Sequence, residues 1–221
     1  TLNNFTLNNA EISGIQRSEI RGDIQFYNVT DGDKFTLETD YIDISTNYFD
    51  LKRLLPDILG ENLPEFIKYI GNFNVKGKTY LKSRDLNADL DIISAVGNGD
   101  IELKFIDLDL SEDVQYEGRI NLKNFNLGKV SQSKKLGLSS FNVYVKGKGF
   151  SAESLDTEVI GKIKNIQINN YNYTDINIDG NLKYPIFDGV LESLDPNFLF
   201  DFEGVVDASQ SINSFKFKSQ I

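Results

Sequence analysis

Residues 114–122 read VQYEGRINL, and this stretch decides the fold because apolar and polar residues alternate along it without a break. Its even-numbered positions carry Val, Tyr, Gly, Ile and Leu, and the positions between them carry Gln, Glu, Arg and Asn. Successive side chains of a β-strand point to opposite faces. The stretch therefore predicts a strand with one apolar face and one polar face.

The same alternation recurs along most of the chain and predicts roughly ten to twelve strands, separated by turns rich in Asn, Asp, Gly and Ser. An all-β fold follows. The apolar positions of these strands form one candidate surface, which would line a groove if nothing covered it. Its residues are Ile24, Phe26, Phe73, Val75, Leu90, Ile101, Leu103, Phe105, Val114, Tyr116, Ile120, Leu122, Phe141, Val143, Val145, Ile176, Ile178, Leu182, Phe198, Phe200, Phe202 and Val206.

Several glycines fall in the apolar phase of the predicted strands, where a side chain would be expected. Glycine inside a strand weakens it through chain entropy and lost packing, and is tolerated where a sheet bends or where something approaches the backbone. Two interpretations stand: curvature of the sheet, or a smooth, thin-walled floor for a bound apolar chain. The candidate bend or thin-wall glycines are Gly22, Gly77, Gly118, Gly147, Gly180 and Gly204.

One segment departs from the alternation. Residues 47–70 place their apolar positions at helical spacing, while Pro56 and Pro64 make one long helix unfavourable. We expect two short helices that either plug an edge of the apolar face or act as a mobile gate. The predicted organisation is β-strands over 1–46, a short helical insertion over 47–70, and a continuing β-sheet over 71–221.

Composition excludes several classes of function. The chain has no Cys and no His, so thiol nucleophiles, Ser–His systems and ordinary zinc sites are absent. A carboxylate-pair glycosidase is the remaining catalytic option, but none of the 33 acidic residues lies in a distinctive motif. The net charge of −10 disfavours a nucleic-acid partner. We expect a protein that is not an enzyme and that needs no cofactor and no metal.

The size and ends of the chain suggest part of a larger protein. It begins at Thr1, contains no Met, and has no apolar run near the 20 residues that a transmembrane helix requires. We expect a fragment of a much longer polypeptide, whose membrane anchor would lie elsewhere.

Four motifs carry a resemblance to a known family. In chain order they are YEGRINLKNFNLG at 116–128, KGKGF at 146–150, NYNYTDINIDG at 170–180 and DPNFLFDFEGVVD at 195–207. Together with the helical stretch at 47–70, they resemble the repetitive β region of TamB, the inner-membrane component of the translocation and assembly module. TamB is related to the AsmA-like bridge proteins, and the resemblance is to its form in Bacteroidota.

The resemblance implies a fold and a function. The fold would be a long, curved, mostly antiparallel amphipathic sheet that forms an open trough, also called a β-taco or solenoid-like trough. The segment would be the periplasmic portion of an inner-membrane-anchored envelope protein. Its groove would carry phospholipid acyl chains between the membranes, or support the assembly of outer-membrane proteins. An outer-membrane barrel of the BamA/TamA type would bind other parts of the full protein.

A second interpretation stays open at this stage. A closed β-sandwich or β-solenoid, acting as a structural or adhesive module, would show the same alternation because its apolar face would simply be core.

Overall fold

The computed structural model describes residues 3–15, 18–54, 63–108, 114–151, 154–207 and 214–218. They form a single antiparallel sheet of thirteen strands in which every strand pairs with its neighbours in the sequence. The predicted all-β, open and amphipathic sheet is confirmed. The first and last strands are not paired with each other, so the sheet has two free edges.

The strands are long, and each connects to the next at the nearer end. Their bounds are β1 Phe5–Ile15, β2 Ser18–Tyr27, β3 Thr36–Asn47, β4 Asn72–Lys82, β5 Asp85–Ser94, β6 Gly97–Ile106, β7 Gln115–Asn126, β8 Leu136–Lys148, β9 Asp156–Ile168, β10 Tyr171–Lys183, β11 Ile186–Asp195, β12 Phe198–Asp207 and β13 Ser214–Lys218.

The strand ends form two rims along the sheet. One rim holds all the described helices, and we call it the helical rim. Helix α1 (Tyr48–Leu54) and a 3-10 helix (Glu65–Ile70) lie in the connection from β3 to β4, and α2 (Leu127–Val130) follows β7. The 3-10 helix contacts both α1 and α2. Residues 55–62 of the predicted insertion lie outside the described part.

Helix α2 was not predicted, because it has only four residues and no apolar period. It begins where Asn126 stops extending β7, and the Asn126 side chain accepts a hydrogen bond from the Lys129 backbone N–H at 2.9 Å. Such a side-chain cap satisfies one of the backbone donors that a helix start leaves unpaired.

The two faces of the sheet differ in exposure. Among the described residues no second layer covers the apolar face, yet most of its side chains are buried or half-buried, while the polar face carries many exposed side chains. Glycines let adjacent strands approach closely at two points of the apolar face. Gly77 and Gly118 both have φ near +145°, and a Cβ there would collide with a carbonyl oxygen of the adjacent strand.

A small sealed core closes part of the rim opposite the helices. Leu81, Leu108 and Val114 are buried there. The side chains packed around them are Phe35, Leu37, Leu86, Phe105 and Phe150. Val114 is 0% exposed. Its side chain therefore belongs to this core, and the structure corrects its assignment to the groove lining.

Candidate apolar groove

The strand register aligns the apolar positions into continuous rows across the sheet. The central row runs from β2 to β12 through directly paired residues, none of which is polar. In order, it comprises Gly22, Ile42, Gly77, Leu90, Ile101, Ile120, Val143, Gly161, Ile178, Leu191 and Phe202. With neighbouring strands about 4.8 Å apart, the row extends for about 48 Å.

Three further rows lie parallel to the central one. Toward the helical rim, the next row comprises Ile20, Ile44, Val75, Ile92, Gly99, Leu122, Phe141, Ile163, Ile176, Ser193 and Phe200. On the other side, the first row comprises Thr39, Thr79, Ala88, Leu103, Gly118, Val145, Val159, Gly180, Gly189 and Gly204. The outermost row comprises Phe26, Leu37, Leu81, Leu86, Phe105, Tyr116, Gly147, Thr157, Leu182, Phe187 and Val206. In this row Leu81 belongs to the sealed core, and Leu37, Leu86 and Phe105 pack against it.

Apart from Val114, the predicted lining residues lie on this one face. Most are in the four rows. Phe73 and Phe198 lie nearer the helical rim, where they pair with Thr46 and Asp195, and Ile24 lies on β2 between Gly22 and Phe26. Most of the lining residues are half-buried, so they touch their neighbours while part of each side chain remains accessible.

Sequence reasoning missed the lining residues of β3, β9 and β11, and β3 shows a structural reason. Leu37 and Thr39 are odd-numbered, whereas Ile42 and Ile44 are even-numbered, because the pairing of β3 with β4 shifts between Thr39 and Ile42. A β-bulge of this kind inserts one residue and reverses the phase of the alternation. The signal that could have located it is the change of apolar phase within TLETDYIDI at 36–44.

The space beside two of the candidate glycines is filled by neighbouring side chains. The space above Gly180 is occupied by the ring of Phe187, whose Cζ lies 2.8 Å from the position of an added Cβ. At Gly147 the Thr157 hydroxyl takes the corresponding space, and Tyr116 reaches across the glycine to hydrogen-bond with that hydroxyl. These glycines allow neighbouring side chains and strands to approach closely.

Polar atoms on the apolar face are paired within the protein. The hydroxyls of Thr39 and Thr79 share a hydrogen bond of 3.1 Å, and burial raises the pKa of the Tyr116 phenol. No buried side-chain nitrogen or oxygen of the described residues lacks a partner. The polar residues therefore leave no unpaired buried group that would oppose an apolar guest.

The opposite face carries ion pairs between adjacent strands. Lys76 lies 3.0 Å from Asp43, and Lys78 lies 3.4 Å from Asp89. A hydrogen bond from the Asn74 side chain, together with Lys76, lowers the pKa of Asp43. Exposed pairs contribute about 0–1 kcal/mol each, so their main effect is to keep this face wetted. A depression of about 610 Å³ has charged side chains at eight of its sixteen lining residues.

Two kinds of feature are absent from the described residues. None of their helices is long and apolar enough to cross a membrane. The same part of the chain has no group of three or more Asp and Glu side chains arranged to hold a metal ion.

Comparison with known proteins adds no relative to these observations. No family model matches the chain, and no curated protein or solved structure matches it either.

Proposed function

We propose that this chain is a periplasm-spanning segment of a TamB-like envelope protein, and that its groove carries phospholipid acyl chains between the inner and outer membranes. A role in outer-membrane protein assembly is part of the same proposal. The observation that supports it is the central row, which continues across eleven strands from β2 to β12 without a polar residue. A continuous apolar path lets a guest move without crossing a polar barrier.

The dimensions suit an acyl chain. Half of a bilayer's hydrocarbon core is about 15 Å thick, which approximates one extended acyl chain. Such a chain, lying along the row, would span about three strands at 4.8 Å each. Each methylene removed from water contributes about 0.8 kcal/mol of binding free energy. The groove would therefore bind lipid through the burial of apolar surface alone.

The groove would act by burial rather than by chemistry. The central row of the groove contains no titratable side chain. The described hydroxyls in the other rows already have hydrogen-bond partners. Headgroups would remain at the water-facing opening. We therefore propose a protein that is not an enzyme, held in the periplasm by an anchor elsewhere in the polypeptide, with an outer-membrane barrel as its eventual partner.

The competing interpretation requires a covering layer. In a closed sandwich the apolar face would be packed against a second sheet. The described residues form one sheet only, and most of the lining side chains are half-buried rather than sealed. This accessibility favours a guest-binding face over a core.

Photo-crosslinking combined with native mass spectrometry tests the proposal. A photoreactive residue at Ile120 or Val143, on the apolar face, is expected to label the acyl chains of added phospholipid. The matched positions Arg119 and Lys146 point from the same strands to the polar face and are expected to give no acyl label. Labelling from the polar positions alone, or protein that stays lipid-free in excess phospholipid, would refute the proposal.

A further inference from the structure

The turn between β11 and β12, on the helical rim, carries exposed apolar side chains on both faces of the sheet. On the polar face Leu194 and Leu199 pair directly with each other and are 50% and 71% exposed. On the apolar face Phe198 is 46% exposed. The strands of a one-sided sheet carry polar residues on their wet face, so this turn departs from the pattern of the chain. We call residues 194–199 the β11–β12 tip.

The tip presents no exposed charged residue, although the chain as a whole carries a net charge of −10. Residues 194–199 read LDPNFL, and Asp195 is 2% exposed. The Asp195 carboxylate accepts hydrogen bonds from the Tyr171 hydroxyl at 3.1 Å and from the Asn197 backbone N–H at 2.9 Å. It also accepts two from Thr174, through the backbone N–H and the hydroxyl. Its charge is therefore satisfied inside the protein.

The backbone of the tip is also paired. Asp195 and Phe198 face each other in the strand ladder, and the Asp195 backbone N–H donates to the Ser193 hydroxyl at 3.3 Å. The Asn197 backbone N–H is held by the Asp195 carboxylate. A backbone donor that leaves water without a partner costs free energy. These donors keep their partners when the tip leaves water.

Aromatic rings support the tip from the apolar face. The Phe198 ring centre lies 5.3 Å from that of Tyr173 and 5.0 Å from that of Phe200. Tyr171, whose ring contacts Tyr173, is 38% exposed. Tyrosine is enriched where membranes meet water, because its ring is apolar and its hydroxyl is polar. The tip therefore has an interfacial residue beside it.

A lipid bilayer is the partner that fits these features. Only a medium that surrounds the tip contacts Leu194 and Leu199 on one face and Phe198 on the other at the same time. The three side chains expose on the order of 300 Å² of apolar surface, whereas each partner in a stable protein interface buries roughly 800 Å². A bilayer needs no matching surface, and each apolar side chain that enters it adds to binding.

From this arrangement we propose that the β11–β12 tip inserts into the interfacial layer of a lipid bilayer. The insertion is shallow, about 5–10 Å deep, so that the Asn197 side chain stays near the lipid headgroups. This inference goes beyond the proposed function, because the tip lies outside the four rows and its insertion does not require the groove to carry a lipid. Where both hold, Phe198 and Phe200 connect the bilayer to the groove margin.

Tryptophan fluorescence on the whole chain tests the insertion. The sequence contains no Trp, so Leu199→Trp places a single reporter at the tip. Its emission is expected to shift to shorter wavelength on addition of phosphatidylcholine vesicles and to be quenched by brominated acyl chains. Ile186→Trp is the matched control, because Ile186 is also exposed but begins β11 at the opposite rim, about 30 Å away, where it pairs with Lys183. Its emission should not change.

Serine substitutions measure how much each leucine contributes to membrane binding. Leu194→Ser and Leu199→Ser are each expected to lower the vesicle partition coefficient about fivefold, and the double variant about twenty-fivefold, because each leucine buries about half of its side chain on insertion. Val190→Ser is the matched control, since Val190 is 41% exposed on the same face of β11, about 13 Å from Leu194. It should partition as the unaltered chain does. Circular dichroism checks that each variant is folded.

The outcomes separate the tip from the groove. Unchanged Leu199→Trp emission with vesicles, or equal losses for Val190→Ser and Leu199→Ser, would overturn the proposal even where Ile120 labels acyl chains. A shift of the Leu199→Trp emission that depends on protein concentration and needs no vesicles would overturn it in favour of contact between two copies of the chain. If the tip inserts but Ile120 labels no acyl chain, the groove is refuted and the tip stands.

Discussion

A carboxylate placed on the groove floor gives the sharpest test of the proposed function. Ile120 lies near the middle of the central row, pairs directly with Ile101 on one side and Val143 on the other, and is half-buried. Ile120→Asp therefore introduces a charge where a guest acyl chain would cross the middle of the sheet. None of the three rows parallel to the central row offers an apolar path of the same continuity.

The magnitude follows from the geometry of the row. A chain that spans about three strands contacts about three row residues, so the change removes roughly one third of its contacts along this row. Two lost methylene contacts account for about 1.6 kcal/mol, and bringing a carboxylate against hydrocarbon costs at least about 1–3 kcal/mol. The sum is about 3 kcal/mol, or roughly a hundredfold weaker binding.

Displacement of a fluorescent fatty-acid analogue measures this affinity. Asn142→Asp is the matched control, because it adds the same carboxylate on the neighbouring strand but on the exposed polar face, opposite Lys162. The control should bind the analogue with unchanged affinity. Circular dichroism establishes that both variants keep the sheet. Unchanged binding by folded Ile120→Asp, or equal losses in the two variants, would refute the reasoning.

Three further predictions concern stability. Gly118→Ala should lower the free energy of unfolding, measured by urea denaturation, by about 2 kcal/mol or more. The reason is that φ is +145° there and the new Cβ meets a backbone carbonyl of the adjacent strand. Gly32→Ala is the control, and it should be nearly neutral because a Cβ there meets nothing. Leu81→Ala should cost about 2–4 kcal/mol in the same assay, since Leu81 is 4% exposed in the sealed core, and a loss below 1 kcal/mol would contradict that packing. The Asn197 backbone N–H, with other donors, lowers the folded-state pKa of Asp195, so its stabilisation is present above its unfolded pKa of about 3.9 and is lost as the pH falls through the folded value. Asp195→Asn should flatten the acid limb of the stability profile, and an unaltered limb would contradict this assignment.

For the helical insertion, local spacing predicted the type of structure but not its position in the fold. Helical spacing correctly indicated helical structure within 47–70, and the described parts are α1 and the 3-10 helix. Its place on one rim beside α2 depends on strand order, which no local spacing encodes.

The candidate lining shows the same division. Alternation placed its predicted lining residues on one face for β2, β4 to β8, β10 and β12, because the side-chain period of a strand is a local property. It missed β3, where a bulge reverses the phase, and it missed β9 and β11, whose Ile163 and Leu191 lie in the rows. It also assigned Val114 to the lining, whereas this residue, just before β7, is buried in the sealed core. A bulge depends on how two strands pair, so the sequence of one strand does not specify it.

By itself, the sequence determined that this protein is built of strands with one apolar and one polar face, because side-chain alternation follows from backbone geometry alone. Only the tertiary structure decided that these faces join into one open surface. In a closed sandwich and in an open trough, each strand buries the same residues. They differ in which strands pair, in what register, and in whether another layer covers the result, and each of these depends on contacts between distant parts of the chain.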